Sequence, residues 1–269
     1  MSKVTVFPKS KAAKRQKIIS LMLGSSVIIV FLIAWELLFQ FKLVNPLFIS
    51  APSRVVLAEI SIIKDGTLLK HFIVSAKEFG FGYVAAIIFG FPFGIMLGWF
   101  KLLKASFGPF IAALQATPRI ALMPLFIIWF GLGITAKIVV VLLSAIFPLI
   151  VNLQVAMSTI DPDLVHVARA YGAGRWQIFR SIALPTSLPF LITGLRLAAG
   201  RGLLGVIVAE VFGGSEGIGY MIEYAGSTFQ TDKVFAGVLV VAIVGISLDV
   251  TLDRVGRHFD RWRSDTAVH

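Results

Sequence analysis

The chain of 269 residues contains no cysteine, which excludes disulfide bonds, thiolate catalysis and cysteine metal sites. Its histidines are scattered and form no cluster with the spacing of metal ligands; they are His71, His166, His258 and His269. The sequence also lacks the G-x-x-x-x-G-K-[ST] loop that cradles ATP phosphates, and it has no recognisable hydrolase motif. These absences argue against an enzyme and predict that this chain itself binds no cofactor and no metal.

Charged residues are also scarce: they make up 14% of the chain, whereas 57% of its residues are hydrophobic. A soluble domain has about 45–50% apolar and about 25% charged residues, so this apolar excess cannot be hidden in one water-soluble core. A net charge of +11 would suit nucleic acid in a polar protein. In a chain this apolar, it indicates an excess of lysine and arginine on the cytoplasmic side of a membrane. We therefore predict an integral membrane protein that contacts the lipid bilayer and no nucleic acid.

Six apolar stretches are each long enough to cross a bilayer as a helix, which takes about 20 residues. They are Ile18–Phe41, Phe81–Phe100, Ser106–Phe130, Ile138–Val155, Ser187–Phe212 and Val234–Leu252. No small-residue cleavage site follows the basic start KSKAAKRQK, so we expect the first stretch to be retained. Between the first two stretches, PSRVVLAEISIIKDG predicts a short interfacial helix. The fold class predicted is all-α, with six transmembrane helices.

The basic residues set the orientation of these helices. With both termini in the cytoplasm, the inside segments hold more than half of the 25 lysines and arginines, as the positive-inside rule requires. Residues 1–17 are then a cytoplasmic N-terminus, 18–252 the transmembrane domain and 253–269 a cytoplasmic tail. The polar stretch 161–186 also lies in the cytoplasm.

That stretch, beginning DPDLVHVARAYGAGRWQIFRSIALPTSLP, interrupts the apolar chain with an organised polar sequence. Asp161 can cap a helix whose first residue is Pro162. The apolar positions of this helix recur at helical spacing and share one face; they are Leu164, Val167, Ala168 and Tyr171. Gly172 and Gly174 predict its end. A second short helix is expected from Arg175 to about residue 182, stopped by the Leu-Pro pair at 184–185.

From the residues alone, three interpretations of this insert stay open. It could be a hairpin lying on the bilayer, or a helix-turn-helix that binds DNA. It could also be a surface that docks in a groove of a cytoplasmic partner protein. The DNA alternative is a poor second, because both ends of the insert run straight into membrane spans.

The insert resembles the cytoplasmic Glu-Ala-Ala loop of ABC importer permeases. The matching residues are Ala168, Arg169, Gly172, Ala173, Phe179, Ile182, Leu184, Pro185, Leu188 and Pro189. PRIALMPLFIIWFGLGITAKI (118–138) and ITGLRLAAGRGLLGVIVAEVFGGSEGIGYMI (192–222) are similar to the branch that imports sulfonates, taurine, nitrate and similar small anions. The resemblance spans residues 50–250 and implies the type I ABC importer permease fold, also called MetI-like.

This resemblance implies that the loop is the coupling helix, which carries ATP-driven motion from an ATPase to the spans. It implies two nucleotide-binding ATPase subunits that hold ATP and magnesium, a second permease copy, an extracytoplasmic solute-binding protein, and alternating access in a bacterial inner membrane. The expected docking residues are Leu164, His166, Val167, Ala168, Arg169, Tyr171, Gly172, Ala173 and Arg175. The family usually has glutamate at the position of His166, and often alanine at Val167, so the acidic contact to the ATPase cannot form in the same way.

Charged side chains inside spans are costly and usually face a pathway or a partner. Arg201 lies about 18 Å into the fifth span, near the middle of the bilayer. An anionic solute would gain from Arg201 or Arg119 on its path; alternatively, either could pair with carboxylates or carbonyls and hold helices together. The candidate path residues are Arg119, Arg201, Gln115, Thr117 and Asn152. Arg196 is expected to extend to the cytoplasmic surface.

Two other functions stay open at this point. A carrier driven by an ion gradient needs a carboxylate near the middle of the membrane, whereas Glu36, Glu210 and Asp249 lie toward span ends. A membrane enzyme is disfavoured by the missing catalytic cluster. The solute stays open among nitrate, sulfonates, taurine, carboxylates and heterocyclic vitamin precursors, and the partner permease could be identical or different.

Overall fold

A computed structural model describes residues 11–259, and throughout this range its regular elements are helices. They are α1 (Lys11–Gln40), α2 (Pro52–Lys64), α3 (Thr67–Trp99), α4 (Lys101–Ala116), α5 (Met123–Phe130), α6 (Ile134–Ser158), α7 (Pro162–Ala170), α8 (Arg175–Ile178), α9 (Leu184–Gly213), α10 (Ile218–Ser227) and α11 (Thr231–Phe259). A 3-10 turn, Arg119–Leu122, precedes α5, and a π-helical turn, Phe179–Ala183, joins α8 to α9. Residues 1–10 of the predicted N-terminal segment and 260–269 of the predicted tail lie outside the described residues.

Within residues 11–259, five helical stretches are long and apolar enough to cross a membrane. They are Met22–Gln40, Thr67–Trp99, Ile134–Ser158, Arg175–Gly213 and Thr231–Arg257. The predicted all-α architecture is therefore confirmed. The predicted count of six continuous spans is not, because these five match the first, second, fourth, fifth and sixth predicted spans.

The predicted third span, Ser106–Phe130, is wrong as a single helix. Helix α4 ends at Ala116, and Thr117 has an extended backbone with φ −67° and ψ 128°. The cause is Pro118, because the residue before a proline is pushed out of the helical region and proline has no N–H to continue the ladder. After the 3-10 turn, α5 adds only eight residues. Neither piece alone reaches the length of a span.

Two predicted helix boundaries were also wrong, because in both places the helix extends beyond the predicted limit. Helix α3 begins at Thr67 rather than Phe81, so the residues just before the predicted second span belong to the same helix. At the other boundary, the Leu-Pro pair at 184–185 does not stop the helix. Pro185 lies in the first turn of α9, where its missing N–H is tolerated. The π-helical turn carries α8 into α9, so 39 residues form one helical run.

Helix α6 lies between α3 and α9, and small residues on both neighbours allow the close approach. A Cβ added at Gly82 of α3 would lie 2.5 Å from Cβ of Val141, and one at Gly94 would lie 2.9 Å from Cβ of Leu153. On the other side of α6, Gly205 of α9 faces Ser144 in the same way. Small residues let helix backbones pack closely in membranes. The slab of α3, α6 and α9 is therefore the core of the fold.

Side-chain contacts define two opposite ends of this slab. At the α10 end, Ser75 of α3 meets Glu210 of α9, and Trp35 of α1 donates to the carbonyl of Ser50. At the hairpin end, Trp99 packs edge-on against Phe179, with ring centroids 5.1 Å apart. We use "the hairpin" for residues 161–183, which hold α7, α8 and the π-helical turn. The last residues of α11 also lie at the hairpin end, because Gly256 faces Ile192 in the first part of α9.

Candidate functional site

The first helix of the hairpin begins as its sequence predicts. The Asp161 side chain accepts a hydrogen bond from the Asp163 amide at 2.8 Å, and Pro162 occupies the first helical position. An aspartate cap satisfies an amide that has no partner inside the helix, and proline there loses no hydrogen bond. The predicted start of α7 is confirmed.

The end of α7 is a glycine turn of the Schellman type. Gly172 has φ +81°, a left-handed conformation that side chains rarely adopt. The Ala173 amide donates to the carbonyl of Ala168 at 2.9 Å, and the Gly172 amide donates to that of Arg169 at 2.9 Å. These two bonds satisfy carbonyls that would otherwise be unpaired at the helix end. The turn fixes the angle between α7 and α8.

The hairpin exposes an apolar stripe. Along one face of α7, the exposed fractions are 52% for Leu164, 55% for Val167 and 89% for Tyr171, and α7 has no buried residue. Of the nine predicted docking residues, seven are exposed and only Ala168 and Ala173 are half-buried. An apolar patch at the tip of a protruding element is typical of a surface that contacts a partner.

Aromatic stacking joins the hairpin to the membrane helices. Trp176 stacks on Phe179, with ring centroids 5.4 Å apart, and Phe179 packs edge-on against Trp99 at the end of α3. Ile178, beside Phe179 in sequence, is buried as well, with 3% of its surface exposed. A displacement of the hairpin therefore acts directly on α3, and through the π-helical turn on α9.

Of the predicted path residues, Arg119 makes contacts that hold its side chain in place. It lies in the 3-10 turn that follows the break in the chain, half-buried, with its guanidinium 4.6 Å from the ring centre of Phe147. One terminal nitrogen donates to the carbonyls of Leu114 and Gln115 at 3.3 and 3.2 Å. Its enclosed Nε has no hydrogen-bond partner among the described residues.

Of the other path candidates, the structure brings three near Arg119 and leaves one apart. Gln115 and Thr117 lie at the same break, although the Thr117 hydroxyl donates to the carbonyl of Ala113. Arg201 is exposed on α9 next to Gly202, which faces Ala145 of α6, so it lies at a depth similar to that of Phe147, the residue under the Arg119 guanidinium. Asn152 instead donates to the carbonyl of Pro148, one turn earlier on α6.

Arg196 is held by carboxylates of α11 rather than extending freely to the membrane surface. It donates twice to Asp249, at 2.8 Å for both bonds, and once to Asp253 at 2.9 Å. The forked pairing fixes α9 against α11 at the hairpin end. A structural role therefore accounts for this arginine.

The α10 end holds a buried polar cluster that the sequence did not reveal. Lys137 of α6 pairs with Glu78 of α3 at 2.7 Å, and their residues are 5% and 2% exposed. Glu210 is fully buried and accepts from the Ser75 hydroxyl at 2.5 Å. The predicted spans begin at Phe81 and Ile138, so they leave both Glu78 and Lys137 outside the membrane helices. Glu78 is four residues before Gly82 and Lys137 four before Val141, so the pair forms because α3 and α6 approach each other at Gly82 and Val141.

The same cluster fixes the loop that follows α9. Three successive amides at the start of α10 donate to side chains of other helices: Gly217 to His71, Ile218 to Ser75 and Gly219 to Glu210. Acceptors at a helix N-terminus satisfy amides that have no partner inside the helix. Outside the membrane helices, a hydrogen bond from Lys70 lowers the pKa of Glu216. This cluster is therefore a structural clamp.

The chain resembles known proteins over most of its length. The family "Binding-protein-dependent transport system inner membrane component" matches residues 90–265. The taurine transport system permease protein TauC of Escherichia coli is 30% identical over 248 residues, 90% of each chain. The putative aliphatic sulfonates transport permease protein SsuC of Bacillus subtilis is 33% identical, over 86% of this chain and 83% of its own. Among solved structures, a chain of the inward-facing MetNI methionine ABC transporter superposes with a TM-score of 0.65 at 18% identity, covering 73% of this chain and 97% of its own.

Proposed function

Because this chain belongs to the family of binding-protein-dependent transport system inner membrane components, we propose that it is the permease subunit of an ABC importer for a small organic sulfonate or a similar anion. Two relatives named for taurine and aliphatic sulfonates support the solute class. The methionine transporter supports the fold alone. Neither the relatives nor the fold supports a carrier driven by an ion gradient.

In this proposal the membrane domain has six crossings, and α4 with α5 forms the one that is broken. The support is topological: α3 ends at the hairpin end with Trp99, whereas α6 begins at the α10 end, where Lys137 meets Glu78. The 30 residues between Lys101 and Phe130 therefore connect opposite ends of the slab. At about 20 residues per span, they are long enough to do so despite the break.

The hairpin end faces the cytoplasm of a bacterial cell, with both termini on that side of the inner membrane. Its support is the distribution of charge. Lys101, Lys104 and Arg254 lie at the hairpin end, whereas Asp65, Glu216 and Asp232 are at the α10 end. Loops rich in lysine and arginine stay in the cytoplasm. The α10 end then receives solute from an extracytoplasmic binding protein.

The exposed stripe of Leu164, Val167 and Tyr171 is the observation that carries the docking function. In the proposed assembly, two copies of this permease each place the hairpin in a groove of one ATPase subunit, in the helix-in-groove manner. The ATPases hold ATP and magnesium. Since His166 replaces the usual glutamate and is exposed, the contact depends on the apolar stripe rather than on an acidic side chain.

The mechanism is alternating access. Closure of the ATPases on ATP draws the two hairpins together, and the hairpin moves α3 and α9 because Phe179 and Ile178 are packed into the slab. The solute path opens toward one side of the membrane and then toward the other. Only the ATPase hydrolyses ATP; this chain transmits the motion.

Crosslinking tests this function directly, because the natural chain has no cysteine to interfere. In the complex expressed with its neighbouring subunits, His166→Cys is expected to crosslink to the ATPase, and the matched exposed position Thr228→Cys at the α10 end is not. Tyr171→Ala should weaken ATPase binding by about 2 kcal/mol or more, as removal of a central aromatic contact does. Ser181→Ala, an exposed polar change on the same hairpin, serves as its control.

A complex in which His166→Cys is never crosslinked, while the chain transports solute on a proton or sodium gradient, would overturn the proposal. Equal binding of the ATPase to wild type and Tyr171→Ala would remove the apolar stripe as the contact.

A further inference from the structure

Basic side chains inside the membrane helices differ in whether a carboxylate neutralises them. Lys137 is paired with Glu78, and Arg196 is paired with Asp249 and Asp253. Arg119 and Arg201 have no carboxylate at ion-pair distance in the described part of the chain. An intramembrane charge without a protein counter-ion is costly and marks a pathway or a ligand.

Neighbouring groups hold the Arg119 side chain in place, but none of them carries a negative charge. The ring of Phe147 supports one face of its guanidinium, and its bonds to two backbone carbonyls are longer than the usual 2.9–3.0 Å. Its Nε still lacks a partner, and an enclosed donor in that state costs free energy.

Arg201 projects from the face of α9 that is not packed on α6. Exposed residues recur along this face at helical spacing; they are Leu197, Gly200, Arg201 and Leu204. The packed face carries small residues such as Ala198, Gly202 and Gly205. A charge in the middle of a span is far less costly beside water or a ligand than in lipid. The exposed face of α9 therefore borders the path.

The break in the chain lies beside these two arginines. Thr117 and Pro118 interrupt the helix directly before Arg119. In transporters, interrupted membrane helices typically surround the solute near the middle of the bilayer, where their free backbone groups can contact it. The interruption and the two uncompensated charges are independent observations, and both indicate the same place.

We propose that Arg119 and Arg201 bind the oxyanion head group of the solute, a sulfonate or a singly charged oxyanion of similar size, between them on the translocation path. This rests on the proposed function. The planar fork of arginine matches such an anion, and two positive charges at a similar depth on different elements attract it from both. Because Arg119 belongs to the broken element and Arg201 to α9, relative motion of the two elements separates the charges and releases the anion.

A cysteine beside the pair measures its electrostatic potential without knowledge of the solute. Gln115→Cys, in the complete importer reconstituted in lipid vesicles, is treated with two thiol reagents of similar size. One is 2-sulfonatoethyl methanethiosulfonate, which is itself a sulfonate, and the other is the cationic 2-(trimethylammonium)ethyl methanethiosulfonate. Their rate ratio is normalised to that on a free thiol. We expect the anionic reagent to be favoured, and Arg119→Gln or Arg201→Gln each to lower the ratio about tenfold.

Lysine variants distinguish the effect of the arginine charge from the effect of the guanidinium shape. Arg119→Lys and Arg201→Lys keep the charge, so the ratio should stay within about twofold of wild type, while protection of the thiol by ethanesulfonate weakens because the fork is lost. A thiol that reacts with neither reagent would show that the site is not on an aqueous path. A ratio unchanged by the glutamine variants would equally overturn the proposal. If the reagents behave as expected but the His166→Cys crosslink is absent, the anion site stands and the ATPase function fails.

Discussion

The two ends of the molecule differ in which side chains they bury and which they expose. At the α10 end, a cluster of buried polar groups pairs within the chain: Lys137 with Glu78, and Glu210 with Ser75 and the Gly219 amide. Glu78 is bonded through Oε1, and its Oε2 has no partner among the described residues. At the hairpin end, the aromatic and aliphatic side chains of α7 face outward, with Tyr171 89% exposed. The buried cluster pairs within the chain, whereas the exposed stripe is the surface that we propose contacts another protein.

The difference teaches where each kind of residue change acts. When one member of a buried ion pair is removed, the other charge stays in the interior without compensation. Such a change therefore lowers the stability of the whole fold. Exposed apolar residues contribute little to the fold that bears them and much to the complex that covers them. Changes at the α10 end should therefore lower stability, and changes at the hairpin end should lower coupling.

The largest effect is expected when the α10 end loses one member of its buried pair. Lys137→Met leaves Glu78 enclosed without its cation, which should cost about 3–5 kcal/mol of folding stability. The measurement is the thermal midpoint of the purified chain in mild detergent. Glu78→Leu combined with Lys137→Met removes both charges and should recover most of the loss. A single variant as stable as wild type would show that the pair does not hold α3 to α6.

A smaller effect is expected at the glycine turn of the hairpin. Gly172→Ala places a side chain at φ +81°, at a cost of about 1 kcal/mol, and should weaken ATPase binding about fivefold. Gly174→Ala is the matched control, because Gly174 has φ −72° and open space around it. Thermal midpoints of both variants should stay near wild type. Equal binding by the two variants would show that the turn does not orient the docking surface.

The smallest effect is expected at the exposed edge of the α10 end, and it depends on pH. The Lys70 ammonium holds the pKa of Glu216 below its ordinary value, so this pair stabilises the folded chain above about pH 4.3 and loses its effect as pH falls further. Lys70→Met should lower the thermal midpoint slightly at pH 7. The difference from wild type should shrink below pH 4. A difference that grows in acid would contradict this sign.

Local chemistry was readable in the sequence, and long-range pairing was not. The cap at Asp161 and the turn at Gly172 follow from residues within one helical turn of each other, so both were predicted. The break at Pro118 was missed for a different reason, although Thr-Pro is itself a signal for it. The span was predicted from the number of apolar residues, and that number does not take account of the backbone hydrogen bond that proline removes.

The buried cluster depends on the register between helices far apart in sequence. Glu78 and Lys137 are 59 residues apart, and they meet only because Gly82 lets α3 approach α6 at Val141. No pattern within either helix specifies that approach. Likewise, the acidic partners of Arg196 lie more than fifty residues away on α11, so the sequence indicated a costly charge without indicating its partner.

The helical run Arg175–Gly213 also has a mechanical consequence. Its 39 residues span about 58 Å at 1.5 Å per residue. Gly194, its middle residue, packs closely against Leu149 and Asn152 of α6 and can act as a pivot. A tilt of about 10° around the middle of such a rod moves each tip by roughly 5 Å. The hairpin sits on one arm, and the clamped loop before α10 sits at the tip of the other. When the hairpin end of this helix moves in one direction, its other end therefore moves in the opposite direction. The helix itself transmits the motion, so no chain of side-chain rearrangements across the membrane is required.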